Sequence, residues 1–426
     1  MKNRQSFKQN TTYQGDSEMY LTYTVYALCL LIFLWGISFA KRGEFHTDYL
    51  SRDITMSLRG FAAIGVILHH ISQEEVFQAS GEISMFVDAG YMFVAIFFFC
   101  SGYGLLKSLD TRPDYLNGFL KKRLPVIIIP YYTSILFYGI YNVIAGNHLE
   151  PLQWVTNIIG VTMMNEYAWY PIILTILYIA FYLIFKGSAP RSRKFLYMFI
   201  VIIVLGLIFC VNGHFLWWVG EPNWWMNPAS ELAEKWYTQM KVFWLSGEWW
   251  VNTPIAFLLG MIWETYEEKL IAFLQKKYPL KLAIVIVLTY ASHILSQYTK
   301  AVFSYWSEFA GEGPAIGAKI ITLFTQLPHV IFFTVFIIMF TMKIRTVNPV
   351  SAFFGRYSLD TYMMNLMPLL IFRPVFLDFP GRIVKNAAFG RSCFLVCVFA
   401  ATIILALIYH KLNELIRKGL FERNKG

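Results

Sequence analysis

The chain has 426 residues, of which 57% are hydrophobic and only 15% are charged. A soluble chain of this length would be about a quarter charged, so the composition excludes a soluble globular protein and indicates a membrane protein. The formal net charge of +10 does not indicate nucleic-acid binding, because the positive residues cluster in short loops between apolar runs. That clustering is typical of membrane topology. We therefore expect a lipid bilayer as a partner and no nucleic acid.

The apolar runs predict an all-α fold, a polytopic bundle of about eleven transmembrane helices, because roughly 20 apolar residues cross a bilayer. The predicted spans lie at about 20–40, 56–72, 86–107, 125–145, 168–186, 195–213, 247–264, 280–299, 318–342, 352–372 and 392–411. This count divides the chain into three regions. They are a tail with an additional span at 1–50, a ten-span membrane domain at 51–415, and a cytoplasmic tail at 416–426.

Lys and Arg set the expected orientation in a plasma membrane. The loops after the odd-numbered spans and the C-terminal tail hold 24 basic residues, whereas the other side holds 11. The positive-inside rule then predicts an outside N-terminus and a cytoplasmic C-terminus. The loop at 373–391 is the exception, because it carries four basic residues on the predicted outer side.

Two ionisable residues, Arg59 and His70, lie in the second span. Eleven helical steps separate them, about 16 Å along the axis and three turns plus about 20°, so both lie on nearly one face. His69 points about 100° away and is interpreted as a packing or hydrogen-bonding residue. Ionisable groups at membrane depth are rare and usually functional. His70 is therefore either a general base or a buried histidine bonded to a neighbouring helix, and Arg59 either faces a pore or snorkels to headgroups.

Each predicted membrane face has a distinctive composition. On the cytoplasmic side, Lys121, Lys122 and Arg123 precede the fourth span, where they either anchor the topology or bind phosphate. On the outer side, a loop at about 213–246 is rich in tryptophan and includes Trp224 and Trp225. Such rings form an interfacial belt or stack on sugars. The five cysteines lie in apolar runs without a CxxC pair, so we expect neither disulfides nor a metal site.

Six segments, taken together and in order, resemble acyltransferase family 3 of integral-membrane acyltransferases. They are LRGFAAIGVILHH with its arginine, ten residues, histidine pattern, FFFCSGYGLL, FLKKRLPVIIIPYY, AWYPIILTILYIAFYLIF, FLLGMIW and GRYSLDTYMMN. The resemblance spans about 55–410 and implies that the first span is an addition to a ten-span core. Two positions depart from the family pattern. Val126 stands where a second arginine is common, and Asn365 stands at a closing histidine, which indicates that this histidine is dispensable or that the chain belongs to a divergent subgroup.

The resemblance implies that the chain transfers an acyl group from cytoplasmic acyl-CoA, commonly acetyl-CoA, to a hydroxyl of a cell-envelope glycan or lipid-linked saccharide. His70 would be the base or would itself be acylated, and Arg59 would orient the donor or the histidine. No permanently bound cofactor is expected. The predicted site falls into three groups, which are the catalytic pair His70 and Arg59, the donor-binding Lys121, Lys122 and Arg123, and the acceptor-side or pore candidates Trp224, Trp225, Glu248, Trp169 and Tyr362. A transporter or flippase for a glycan or small polar solute is the alternative.

Overall fold

The computed structural model describes residues 15–147, 151–159, 163–212, 248–307, 315–378 and 386–421, and these are almost entirely helical. The helices are α1 Gly15–Leu34, α2 Arg52–Ser72, α3 Glu75–Ser80, α4 Gly90–Thr111, α5 Phe119–Arg123, α6 Pro125–Ile144, α7 Pro151–Ile158, α8 Trp169–Lys186, α9 Arg191–Asn212, α10 Ile255–Thr265, α11 Glu267–Gln275, α12 Tyr278–Val302, α13 Ile316–Lys343, α14 Pro349–Arg356, α15 Ser358–Met364, α16 Leu366–Phe376 and α17 Ala387–Phe421. Strands β1 Ile37–Phe39 and β2 Ile344–Thr346 pair, and short 3-10 helices cover Ser84–Phe86, Glu166–Ala168 and Glu248–Trp250.

The helical polytopic class is confirmed. Within the described residues, eight helices are long and apolar enough to cross a membrane, and three shorter apolar helices accompany them. The shorter ones are Tyr20–Leu34, Ile255–Thr265 and Leu366–Phe376. Each of these eleven segments overlaps one of the eleven predicted spans, and three of them cover that span only in part.

Three predicted spans are not continuous helices, and this corrects the sequence-based boundaries. The first, expected at 20–40, ends as a helix at Leu34 and is followed by β1. The seventh, expected at 247–264, is a 3-10 turn followed by α10, which begins directly after Pro254. The tenth, expected at 352–372, is divided into α14, α15 and α16. Pro368 contributes to this division, because a proline ring clashes with the carbonyl four residues earlier, here that of Met364.

The chain divides into two compact units. The first contains the described residues of 1–38, 52–90 and 345–408, and the second contains those of 39–51, 91–344 and 409–426. The first unit therefore combines α1, α2 and α3 with α14, α15, α16 and most of α17. The second unit contains α4 to α13.

A close backbone contact between α2 and α14 organises the first unit. A Cβ atom added to Gly60 would lie 1.9 Å from the carbonyl oxygen of Ser351, and one added to Gly355 would lie 1.9 Å from that of Met56. Ser57 Oγ beside this contact donates to the carbonyl of Thr346 over 2.7 Å. Small residues let transmembrane backbones approach this closely, and polar side chains then join the helices.

The first helix belongs to the first unit and is not an isolated anchor. Its C-terminal end is held by Asn348, whose Nδ2 donates to the carbonyls of Ile32 (2.7 Å) and Trp35 (3.1 Å). Near its other end, Thr22 Oγ1 accepts from the backbone N–H of Ile83 over 3.1 Å. The Asn348 side chain also caps α14 through the backbone N–H of Ser351. α1 therefore runs between the start of α14 and the segment that follows α2.

In the second unit, segments that the sequence assigns to one membrane side meet one another. Arg191 at the start of α9 forms a bidentate ion pair with Asp110 at the end of α4, with N–O distances of 2.6 and 3.0 Å. Gln275 of α11 donates to the carbonyl of Gly43 over 3.1 Å. The end of α13 contacts the same 40–51 segment, where the backbone N–H of His46 donates to Met342 over 2.9 Å. These contacts match the predicted grouping of the loops after the odd-numbered spans.

In the first unit, two ion pairs connect loops that were assigned to the other side. Arg373 is bidentate to Glu74 at 2.7 Å, and the buried Arg391 pairs with Glu82 at 2.5 and 3.2 Å. These two arginines belong to the basic loop that was the exception in the charge count. Each of these arginines is neutralised by a carboxylate from the segment after α2. Arg373 and Arg391 therefore add little net positive charge to the predicted outer side.

Replacing Gly60 or Gly355 by Ala should destabilise the protein strongly, because the added methyl group would overlap a backbone carbonyl that cannot rotate away. Overpacking of this kind typically costs about 1–3 kcal/mol or more. The matched control is Gly104→Ala in α4, where a Cβ atom would meet nothing within 4 Å and alanine is the better helix former. Thermal unfolding of the solubilised protein measures the difference, and equal melting temperatures for all three variants would contradict the close contact.

Candidate active site

His70 lies near the C-terminal end of α2 and is buried in the first unit. Its Nδ1 is 2.8 Å from Oδ1 of Asn365, which stands between α15 and α16. Asn365 is itself fully buried, with 1% of its surface exposed. The structure thus pairs the predicted catalytic histidine with a residue 295 positions away in the sequence.

Backbone carbonyls at the end of α15 fix the side-chain amide of Asn365. The last carbonyls of a helix have no partner within that helix, and the Asn365 amide takes up two of them at the end of α15. Its Nδ2 donates to the carbonyl of Tyr362 over 2.8 Å and to that of Thr361 over 3.2 Å. The amide is therefore fixed by backbone groups on one side and faces the imidazole on the other.

Arg59 lies on the same continuous helix as His70, half-buried, about 16 Å away along the axis. Its Nε donates to the carbonyl of Thr55, one turn towards the start of the helix, over 3.3 Å. The shared helix agrees with the prediction, but at this separation Arg59 does not reach His70, whereas Asn365 bonds to it.

His69 has different partners from His70. Its Nδ1 donates to the carbonyl of Phe86 over 2.8 Å, and its ring packs directly against Gly90, where a Cβ atom would lie 2.3 Å from the ring. These contacts fix the chain that leads from α2 to α4, as expected of a packing and hydrogen-bonding residue.

The basic cluster before α6 borders a cleft in the second unit, with a volume of about 610 Å³. The residues that line it come from the end of α4, the following loop and α5, and are Thr111, Arg112, Pro113, Asp114, Tyr115, Phe119, Lys122 and Arg123. Two of the three predicted donor-binding residues, Lys122 and Arg123, belong to this lining, whereas the exposed Lys121 does not. Arg112, which the sequence interpretation missed, contributes a third cation.

Tyr115 orients one of these cations. Arg123 donates through Nη2 to the Tyr115 hydroxyl over 2.7 Å, and its guanidinium carbon is 5.6 Å from the centre of the Tyr115 ring. The Tyr115 and Phe119 rings pack edge to face, with their centroids 5.5 Å apart. The cleft therefore combines guanidinium and ammonium donors, which bind phosphate, with aromatic surface. Val126, at the position where the family often has a second arginine, is exposed and does not line this cleft.

The remaining candidates are scattered. Trp169 is buried at the start of α8 in the second unit, and Tyr362 is buried in α15 of the first unit, where its carbonyl holds Asn365. Glu248 is half-buried in the 3-10 turn before α10. It lies near Tyr305, whose pKa is raised mainly by burial and further by Cys210 and Glu248. Trp224 and Trp225 lie outside the described residues.

An acyltransferase domain family matches residues 57–411, which include most of α2 with Arg59 and His70, the basic cleft and the broken tenth span. No curated protein and no solved structure matches the chain significantly. The chain is an integral-membrane acyltransferase. It belongs to acyltransferase family 3, as the resemblance of its segments indicated, and α1 precedes the matched region.

Proposed function

We propose that the protein transfers an acetyl group from cytoplasmic acetyl-CoA to a hydroxyl of an extracytoplasmic glycan or lipid-linked saccharide. The observation that carries this proposal is the buried His70, which lies on the membrane-length helix α2 of an acyltransferase and is held by the fixed amide of Asn365. A neutral imidazole is suited to removing a hydroxyl proton at physiological pH.

In the direct route, His70 takes the proton of the acceptor hydroxyl while its oxygen attacks the thioester carbonyl. The carbon–sulfur bond breaks, the acetyl group becomes an ester, and the CoA thiolate receives the proton from the imidazolium. In the alternative route, the imidazole nitrogen attacks the thioester carbonyl and expels the CoA thiolate. The acceptor hydroxyl oxygen then takes the acetyl group from that nitrogen, and the hydroxyl proton passes to the thiolate. Both routes use the same imidazole and release the same products.

The basic cleft is the proposed site for the phosphates of acetyl-CoA. Support comes from three cations, Arg112, Lys122 and Arg123, which border one volume together with the rings of Tyr115 and Phe119. CoA carries several negative charges and an adenine ring, so cations and aromatic surface match its nucleotide end. On the acceptor side, Trp224 and Trp225 remain the proposed stacking residues, because sugars pack their apolar faces on aromatic rings.

Replacing His70 by Ala should abolish acetyl transfer while the protein still inserts and accumulates. A positioned general base contributes about 10²–10⁴-fold, which exceeds any effect of expression. The measurement is acetyl-CoA consumption and acetyl content of surface glycan in membranes with matched amounts of protein. His69→Ala is the control, because His69 bonds to the Phe86 carbonyl instead, and it should keep most activity. Equal loss from both variants would contradict the distinction between the two histidines.

Reversing the charge of Lys122 and Arg123 together should raise the KM for acetyl-CoA, because each charge-assisted hydrogen bond is worth about 1.5 kcal/mol, roughly tenfold in affinity. The increase should be larger at low salt, where charges are screened less. Lys121→Glu is the matched control, since its side chain is adjacent in sequence but does not line the cleft. The donor assignment fails if Lys121→Glu raises the KM equally, or if the double variant changes only dependence on the acceptor.

We also propose an outside N-terminus and a cytoplasmic C-terminus in a plasma membrane, from the 24-to-11 distribution of basic residues. This orientation puts the basic cleft before α6 on the cytoplasmic side, where acetyl-CoA is present. Accessibility tags at Gly15 and Asn424 should report opposite sides of the membrane. Tags on the same side would mean that one predicted span does not cross.

A further inference from the structure

The hydrogen bonds of Asn365 determine which nitrogen of His70 carries the hydrogen in the neutral ring. A side-chain amide has one end that only donates and one end that only accepts. The end that faces Thr361 and Tyr362 approaches two carbonyl oxygens, at 3.2 and 2.8 Å. Carbonyls only accept, so this end is Nδ2. The end 2.8 Å from His70 is therefore Oδ1, an acceptor.

We propose that Asn365 is a positioning residue that holds neutral His70 in the Nδ1–H tautomer, so that Nε2 is the nitrogen that exchanges the proton or attacks the thioester. This inference rests on the proposed acyl transfer for its catalytic meaning, although the tautomer itself follows from the contacts. A proton on Nδ1 donates to Oδ1 of Asn365, and a neutral imidazole with its hydrogen on Nδ1 has its lone pair on Nε2.

The Nε2–H tautomer of His70 is disfavoured because His70 and Asn365 are both buried. Asn365 is 1% exposed and His70 is 9% exposed, and a buried polar group left without its partner is unfavourable by about 1–3 kcal/mol. A hydrogen on Nε2 would leave two acceptors, Nδ1 and Oδ1, facing each other. Turning the amide over would remove that conflict but would place Oδ1 against the carbonyls of Thr361 and Tyr362.

The hydrogen bond from His70 Nδ1 to Asn365 Oδ1 is compatible with both the neutral and the protonated imidazole of the proposed reaction. When Nε2 takes the proton of the acceptor hydroxyl, Nδ1 keeps its hydrogen and continues to donate to Asn365. The proton then passes from Nε2 to the CoA thiolate, which restores the starting tautomer. Asn365 therefore does not need to move during the cycle. A histidine at position 365, the residue that the family pattern has there, can either donate or accept and would not impose one tautomer.

The test is the tautomer of His70 in the full-length protein in lipid, measured by solid-state NMR on protein labelled with ¹⁵N-histidine. The chain has eight histidines, and the His70 signals are assigned by their loss in His70→Gln. The expected result is a protonated Nδ1 and an unprotonated Nε2. A wild-type His70 with its hydrogen on Nε2 would overturn the proposal without any further variant.

Asn365→Leu tests the cause of the tautomer, because leucine keeps the approximate shape but has no acceptor. The variant should populate the Nε2–H form and lose at least roughly 10–100-fold in kcat, the range known for removing the orienting partner of a metal-bound histidine, with little change in the KM for acetyl-CoA. Asn348→Leu is the matched control, since this buried amide also donates to backbone carbonyls of the first unit but does not bond to His70. Its His70 signals should stay as in the wild type.

The outcomes separate this inference from the proposed function. If His70 carries its hydrogen on Nδ1 and the tautomer depends on Asn365, but membranes show no acyl transfer to glycan, the positioning inference stands and the proposed function fails. If transfer occurs but Asn365→Leu leaves the His70 signals and kcat unchanged, the function stands and Asn365 is not a positioning residue.

Discussion

The contact of Gly60 with the backbone of α14, and of Gly355 with that of α2, is the constraint on which the first unit depends. No side chain larger than hydrogen fits at either position, because a Cβ atom would meet a carbonyl oxygen at 1.9 Å. Each residue of the His70–Asn365 pair lies ten positions after one of these glycines. The close approach therefore sets the register in which the imidazole and the amide meet, and the Ser57 hydrogen bond to Thr346 holds that register.

The site also lies at a point where the helix is interrupted. The tenth span is interrupted at Asn365, and the amide of this residue bonds back to the carbonyls of Thr361 and Tyr362, four and three positions earlier. Asn365 thus stands at the break between α15 and α16, with its amide nitrogen on the α15 carbonyls and its amide oxygen on His70. Irregular backbone at membrane depth is tolerated only where it is buried in protein or lines a cavity, and here it is buried and placed directly beside the histidine.

Contacts of α1 and two ion pairs support this arrangement. α1 lies before residue 57, yet Asn348 ties its end to the start of α14, and its Thr22 meets the segment that follows α2. That segment is held in turn by the ion pairs of Glu74 with Arg373 and of Glu82 with Arg391. The start of α14 and the segment that follows α2 are thus both tied to other parts of the same unit. Arg373 and Arg391, two of the basic residues that did not fit the predicted charge distribution, are the partners of these buried carboxylates.

The sequence by itself determined the membrane class, the approximate positions of the spans, the family, and the placement of Arg59 and His70 on one face of one helix. These features are local, because hydropathy, charge and the period of 3.6 residues are properties of short windows. Only the tertiary structure decided that the tenth span is broken, that Lys122 and Arg123 line a cleft with Arg112 while Lys121 does not, and that Asn365 is the partner of His70. From the sequence, Asn365 was only a departure from the family pattern, since a contact across 295 positions depends on how two helices pack. That packing is set by two backbones that touch at glycines, and hydropathy and helical period carry no information about which glycines will meet.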